Sequence, residues 1–570
     1  MRSFLIGLLS AALVTAAAPV DAKPKPRPAP PAGASVYPHG MVVAANPLAA
    51  EAGRMILERG GNAIDAAVAI QAVLGLVEPQ SSGLGGGAFL MVYDGRTHKL
   101  TAYNGREAAP AAASPSYFLG PDGRPLPFFD AILSGKSTGP PGAIAMLGLA
   151  QAEHGRLPWK DLFGDAERLA SDGFVVSPRL GLESSVPLPQ TSAPDIKAYF
   201  TKADGTKVQA GDVLKNPAYA RTLQTLASSG PRALLEGPIA ADIVARVDKD
   251  PGGVLTLEDL KAYHAKASEP LCRPYRIYVV CVPPSPSGGP ALLEMLGLLA
   301  RTDIDKRGPS DPRAWFELAQ AERLAYADRD RYLGDPAFVN EPVQGLLSPA
   351  YLDARAKLIG EMAGPAPAPG DPPGAPAIGR DGTREAGGTS HFTVVDRQGN
   401  VASMTTSVES IFGSGRMVDG FVLNNQLTDF SFAPTDRDGR PAANRVEAGK
   451  RPRSAMTPVI VLKDGRFFAS LGSPGGAAIL AYNLKALVGV LDWRLSMQQA
   501  VALPNVIAVG DRYNAEVDRL GPEVAKGLAD RGMNFGAGRG ENSGLHGVMA
   551  RGGKLEGGAD PRREGVALAD

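Results

Sequence analysis

The run from about Ala363 to Gly388 is rich in Pro and Gly and ends abruptly in Gly387-Gly388-Thr389-Ser390-His391-Phe392-Thr393-Val394-Val395-Asp396, a strand headed by Thr. It does not read as an interdomain linker, because strand signals before and after it need each other. The fold must therefore bring both sides of the run into one body. A floppy segment that gives way without a turn to a Thr-headed strand also reads as a place where the chain is cut. Cutting there would give Thr389 a free α-amine, whose pKa of about 8 lets it serve as base for its own hydroxyl.

Four strand-turn-strand signals lie at wide intervals. They are Ala88–Tyr93 with Leu100–Tyr103 around Asp94-Gly95, and Phe392–Asp396 with Val401–Thr406 around Gln398-Gly399-Asn400. The others are Val459–Leu462 with Phe467–Leu471 around Asp464-Gly465, and Gly547–Ala550 with Lys554–Gly557 around Gly552-Gly553. Antiparallel sheet is thus built from both ends of the chain. Two helices open the body: one with Leu48, Ala52, Met55 and Ile56 on a face and Gly60-Gly61 at its end, the next apolar from Ala63 to Val77 behind an Asn62/Asp65 capping start. Residues 142–335 are mostly helical in pattern, as in Ala314 to Tyr332. Helices sandwiching antiparallel sheets give an α+β architecture, and a 44% hydrophobic content over 570 residues is ample for its core.

Met1-Arg2-Ser3, the apolar run Phe4 to Val14 and the small residues up to Ala22 have the three regions of a secretory signal peptide, so residues 1–22 are expected to be removed. The alternative is an uncleaved anchor. The Pro-dense stretch that follows, within residues 23–45, reads as an exposed tether, and the mature protein is expected to be secreted or periplasmic with no stable membrane span. Lys+Arg and Asp+Glu both number 59, which gives no hint of a nucleic-acid partner. Cys272 and Cys281 meet only if Arg276-Ile277 makes a two-residue hairpin, and Ile is a poor turn residue; disulfide and free thiols both stay open.

Other chemistries lack their signatures. Gly135-Lys136-Ser137-Thr138 resembles the end of a phosphate loop, but Asp130 stands where that loop needs Gly; it reads as a helix entry. Ser81 to Gly87 precedes a strand instead of opening a helix, and reads as a tight structural loop. The histidines show no metal-ligand spacing, so no metal or other cofactor is expected. No Gly-x-Ser-x-Gly elbow with the right spacing occurs. Thr389 has no strong rival as nucleophile.

From Thr389 onward the chain resembles the γ-glutamyltranspeptidase (glutathione hydrolase) family of N-terminal-nucleophile hydrolases. The matching pieces are Thr389–Asp396, Phe421-Val422-Leu423-Asn424-Asn425-Gln426-Leu427-Thr428-Asp429-Phe430-Ser431, Lys450-Arg451-Pro452-Arg453-Ser454-Ala455-Met456 and Gly472-Ser473-Pro474-Gly475-Gly476. Upstream, Ser82 to Gly87, Gly105-Arg106-Glu107-Ala108-Ala109-Pro110, Pro283 to Gly289 and Ala325 to Arg329 also match. The resemblance implies a four-layer αββα sandwich, cut between Gly388 and Thr389 into a large subunit (46–388) and a small subunit (389–570) that stay together as a heterodimer. It implies Thr389 as nucleophile, Ser407 orienting it, and backbone N–H groups of Gly475 and Gly476 as oxyanion hole. It also implies a carboxylate site at Arg106 and Ser454, and an ammonium site at Gln426 and Asp429.

Substrates on this reading are glutathione and other γ-glutamyl compounds, with water or amino-acid and dipeptide acceptors. Some positions depart from the best-known members: Ser407 stands where the family usually has Thr, while Ala455 replaces a second Ser and Glu409 stands where many have Asn, two changes that put substrate range in doubt. The lid segment Ala433 to Lys450 is polar and lacks aromatic residues, a composition that excludes water poorly. A glutaryl or cephalosporin acylase of the same chemistry, or a non-catalytic homologue that binds amino-acid derivatives, are the alternatives.

Overall fold

The computed structural model describes residues 37–535 and 543–570. The expected signal peptide, and the tether up to residue 36, lie outside the described residues. The end of the expected tether is not exposed: Met41–Ala44 is a strand inside a sheet, paired on both sides. Val42 and Val43 point to opposite faces, and both faces are covered, so this strand has no polar side to betray it as a half-exposed one.

Two antiparallel sheets are stacked. The first has seven strands, in the order Val566–Ala569, Met41–Ala44, Gly388–Val395, Val401–Glu409, Gly87–Tyr93, Leu100–Asn104 and Lys266–Ser268. The second has six, Lys554–Ala559, His546–Arg551, Arg466–Gly472, Val459–Lys463, Tyr278–Val282 and Leu271–Tyr275. Val43, Met91, Val395, Val401, Ile460 and Val548 fill the space between them. On the outer face of the first sheet, Val42, Leu90, Val394 and Met404 pack on the helices Pro47–Glu58, Ala63–Val77 and Ala143–His154. On the outer face of the second, Val280, Val461 and Leu471 pack on Gly289–Leu299, Pro312–Tyr332 and Ile479–Leu491. This is the four-layer αββα sandwich. Strands from either side of Gly388 pair with each other in both sheets, and in the first they interleave.

Local chemistry explains the elements. Asn62 accepts from the amides of Ile64 and Asp65 while Asp65 returns a bond to the Asn62 amide, and the helix Ala63–Val77 behind this box is buried on every side. Asp464-Gly465 and Gly552-Gly553 both adopt positive φ, as two-residue hairpins require. At Arg276-Ile277 the positive φ (54°) falls on Arg276, so Ile277 is spared, and Cys272 and Cys281 face each other in register as a disulfide.

Some expectations need correction. The largely helical 142–335 also contributes three strands to the two sheets, Lys266–Ser268 and Leu271–Tyr275 at their edges and Tyr278–Val282 next to the latter. Gly135 to Thr138 is a turn leaving the short helix Phe128–Leu133, where Ser137 bonds back to Ile132 O at 2.7 Å. The Pro/Gly-rich run is irregular but docked. Arg323 donates to Gly364 O and Pro365 O at 2.7 and 2.9 Å, Arg355 to Ala368 O at 2.8 Å, and Gly370 N–H to Asp328 at 2.6 Å. Partners on the helices Pro312–Tyr332 and Pro349–Ala356 satisfy main-chain groups that no sheet or helix of the run itself could.

Candidate active site

Thr389 is the second residue of the strand Gly388–Val395, inside the first sheet, and is buried, 2% exposed. Its hydroxyl donates to Ser407 Oγ at 3.1 Å from the directly opposing position of the neighbouring strand. Ser407 Oγ donates to Gly388 O at 2.6 Å and accepts the Glu409 amide at 2.8 Å. One hydroxyl thus links the side chain of Thr389 to the carbonyl before it. Tight backing fixes this strand: a Cβ on Gly86 would lie 2.1 Å from Ser407 O.

Beyond Ser407 the register shifts, so that Glu409 opposes Gly388. Glu409 takes φ 83°, a left-handed conformation costing a non-glycine residue about 1–3 kcal/mol, and the bulge re-aims its carboxyl. That carboxyl accepts the Ala386 amide at 2.8 Å. Burial, with Asp429 alongside and against the pull of Arg106, drives it well above the ordinary carboxylate range.

Arg106 is wholly buried. Its guanidinium donates to Gln426 Oε1 and Asp429 Oδ2, and to the main chain at Arg453 O (2.9 Å) and Pro452 O (3.2 Å). Burial opposes the charge on Arg106, but Asp429, Glu107 and Glu409 outweigh it. Asp429 is pushed up to about 6 by burial, against Arg106 and with Glu385 adding to the rise. Glu107, at 3.9 Å from Arg106, is pushed up to about 8 by burial. Gln426 and Asp429 share one short turn, Gln426–Asp429, and Gln426 also donates to Ser407 O at 2.9 Å, tying the cation–anion pair to the Thr389 neighbour.

The structure therefore brings together Thr389, Ser407, Glu409, Arg106, Gln426 and Asp429. Arg106 reaches the main chain at Pro452 and Arg453, next to Ser454, whose Oγ accepts the Met456 amide at 3.1 Å. Gly475 and Gly476 take φ 134° and 56° and border the linker, since a Cβ on Gly476 would lie 2.4 Å from Ala386 O. Gly388 O is held by Ser407 instead. Among the described residues no group of three or more His, Cys, Asp or Glu is arranged to hold a metal ion.

Sequence reading missed four side chains that shape the site. Arg563 donates to Thr389 O at 3.0 Å, Asn444 to Asp429 O at 2.7 Å, Arg453 to Asp381, and Arg329 to Glu385. The alternation Asp328-Arg329-Asp330-Arg331 at a helix end was the available signal for the last.

The sequence profile of the family described as Gamma-glutamyltranspeptidase matches residues 49–570. The chain belongs to that family. It is 36% identical to the glutathione hydrolase proenzyme of Bacillus subtilis, covering 99% of this chain and 97% of the relative. To the glutathione hydrolase proenzyme of Escherichia coli it is 34% identical over 92% of this chain and 90% of that one. Its fold matches the crystal structure of cephalosporin acylase from Bacillus halodurans with a TM-score of 0.82 at 27% identity, covering 96% and 99%. In this γ-glutamyltranspeptidase-family chain the segment 433–450 is pinned to the linker: Gly379 donates to Pro441 O at 2.9 Å and pairs with Ala442.

Proposed function

We propose that this chain is an exported, self-cleaving γ-glutamyl hydrolase and transferase that acts on glutathione and related γ-glutamyl amides through a Thr389 ester. The observation that carries the reading is the Thr389–Ser407–Gly388 hydroxyl chain. In the uncut chain Thr389 Oγ attacks the Gly388 carbonyl; the C–O bond forms, the Gly388–Thr389 C–N bond breaks, and the amide nitrogen gains a proton. Ser407 donates to the carbonyl oxygen on which charge builds. Water then opens the ester, leaving Gly388 as a carboxylate and Thr389 with its amine. That amine serves as base when the same hydroxyl attacks a γ-glutamyl carbonyl. Arg106 suits the donor's α-carboxylate, and Asp429, with Glu409 beside it as a hydrogen-bonding neighbour, suits its α-ammonium. Arg106 and Asp429 bind each other in the uncut chain, and a zwitterionic donor replaces that bond with one to each.

Intact mass tests this directly. The mature protein is expected to contain a 182-residue chain beginning at Thr389, co-purifying with the larger one without a covalent link because strands of both share two sheets. A full-length chain alone after prolonged incubation would refute the cut. Ser407→Ala is expected to slow the cut by about 10²–10³-fold, the effect of removing one oxyanion donor, and Ser407→Thr to restore it, read by the rate at which precursor disappears.

A second reading, an acylase for glutaryl-type side chains, is favoured by the match to the protein named cephalosporin acylase. Relative rates on γ-glutamyl and glutaryl amides separate the two. Export rests on the N-terminal sequence; among the described residues no helix is long and apolar enough to cross a membrane.

A further inference from the structure

Gly475 and Gly476, the pair read as oxyanion donors, lie after the cut in sequence, yet one of the side chains that hold their turn comes from before it. The turn joins the strand Arg466–Gly472 to the helix Ile479–Leu491, and Ala478 N–H closes it by donating to Gly475 O at 3.1 Å. Among the described residues neither glycine amide is bonded to a main-chain acceptor, so both donors are left for a ligand. The Tyr482 ring backs the turn at one end, where a Cβ on Gly475 would lie 2.5 Å from Tyr482 Cε2. At the other end the Tyr326 hydroxyl donates to Ala477 O.

Tyr326 belongs to the helix Pro312–Tyr332 and to the matched motif Ala325 to Arg329. Its side chain is buried, and burial holds its hydroxyl well above the ordinary tyrosine range, so it stays a donor. One turn earlier on the same helix Glu322 accepts the Ala508 amide at 2.8 Å, and Leu318, Ala321 and Ala325 share a core with Leu480, Leu484 and Leu487. The helix is thus fixed against residues 389–570 at successive turns. Planarity carries that fixed point to the glycines. Ala477 O and Ala478 N–H belong to one peptide unit, and Gly475 O, which Ala478 N–H holds, shares a second unit with Gly476 N–H.

We infer that Tyr326 is a positioning residue for the reaction on substrate: through these two peptide units it aims Gly476 N–H at the oxyanion formed when Thr389 attacks a γ-glutamyl carbonyl. The inference rests on the reading of Thr389 as nucleophile and of the glycine pair as oxyanion donors. The cut makes no such demand, because Gly388 O is held by Ser407. Tyr326 therefore serves turnover and not maturation.

Tyr326→Phe keeps the ring and removes the bond. Its precursor is expected to disappear at a rate within about twofold of wild type, whereas kcat on γ-glutamyl p-nitroanilide, measured after complete cutting, falls about tenfold, the effect of one hydrogen bond. KM should stay within about twofold, because oxyanion donors act on charge that develops in the transition state, and formation and breakdown of the ester both pass through it. A donor analogue with a boronic acid in place of the γ-amide becomes a tetrahedral anion on Thr389 and should bind the variant about tenfold more weakly, while glutamate binds both proteins alike. Unchanged kcat would overturn the inference. Equal slowing of cut and turnover, or a variant that fails to fold, would overturn it too, by making the hydroxyl a general prop of the fold. A wild type that neither cuts nor turns over, or that binds the boronic acid no more tightly than glutamate, would instead remove the reading beneath it.

Discussion

Thr389→Ala is expected to remain one uncut chain and to show no γ-glutamyl p-nitroanilide hydrolysis. The substitution removes the atom proposed to attack both Gly388 and the substrate. It removes little else: one buried methyl, worth about 1 kcal/mol, and one of the contacts at Ser407 Oγ, which keeps the Glu409 amide as donor and Gly388 O as acceptor. The strand Gly388–Val395 stays paired to Met41–Ala44 and Val401–Glu409, so the chain should fold. Thr389→Ser keeps the oxygen but loses the methyl that limits χ1, and is expected to cut and turn over more slowly. Residues 1–388 and 389–570 supplied as separate chains bypass the first reaction and should retain the second. Cutting at this junction in Thr389→Ala, or near-normal turnover by a folded Thr389→Ala protein, would show that another group is the nucleophile.

What the sequence made legible was local, or was carried by whole motifs. The Asn62/Asp65 box, the Asp464-Gly465 and Gly552-Gly553 turns and the apolar helix Ala63–Val77 are each set by residues within a few positions. Thr389, Ser407 and Asp429 came from motif order, and Arg106 meets Asp429 across 323 positions that no periodicity spans. Met41–Ala44 was missed because a strand covered on both faces carries no alternation, and it follows a Pro-dense stretch. Arg453 was quoted as part of a motif, yet its bond to Asp381, 72 positions away, lies on a segment whose composition reads as floppy. Next to Ser454, Pro452 and Arg453 hold Arg106 through main-chain oxygens that every residue carries, so no side-chain pattern could signal the contact. The Glu409 turn to positive φ follows from a register shift, which depends on both strands at once.

Asp429→Ala should cripple cleavage of γ-glutamyl amides while leaving glutaryl amides comparatively unaffected. A γ-glutamyl donor brings an α-ammonium into a buried pocket, and with Asp429 gone the neighbouring carboxyl, Glu409, is one whose ionised form burial disfavours. Losing one partner of a desolvated charge pair typically costs about 2–5 kcal/mol, or roughly 30- to several thousand-fold in kcat/KM. A glutaryl donor has no ammonium and places no such demand on Asp429, so its turnover also reports that the variant is folded. The pH profile gives a second readout. Asp429 binds an ammonium only when ionised, and burial has pushed it up to about 6, so its useful form exists above that value and is lost as pH falls through it. Wild-type kcat/KM on γ-glutamyl amides is therefore expected to drop through pH 6 on the acid side, a limb that Asp429→Ala and glutaryl substrates should both lack. The free amine of Thr389, titrating near 8, affects both substrates alike and cannot mimic the difference. Equal losses on the two substrates would assign Asp429 to holding Arg106 in place instead of recognising the donor.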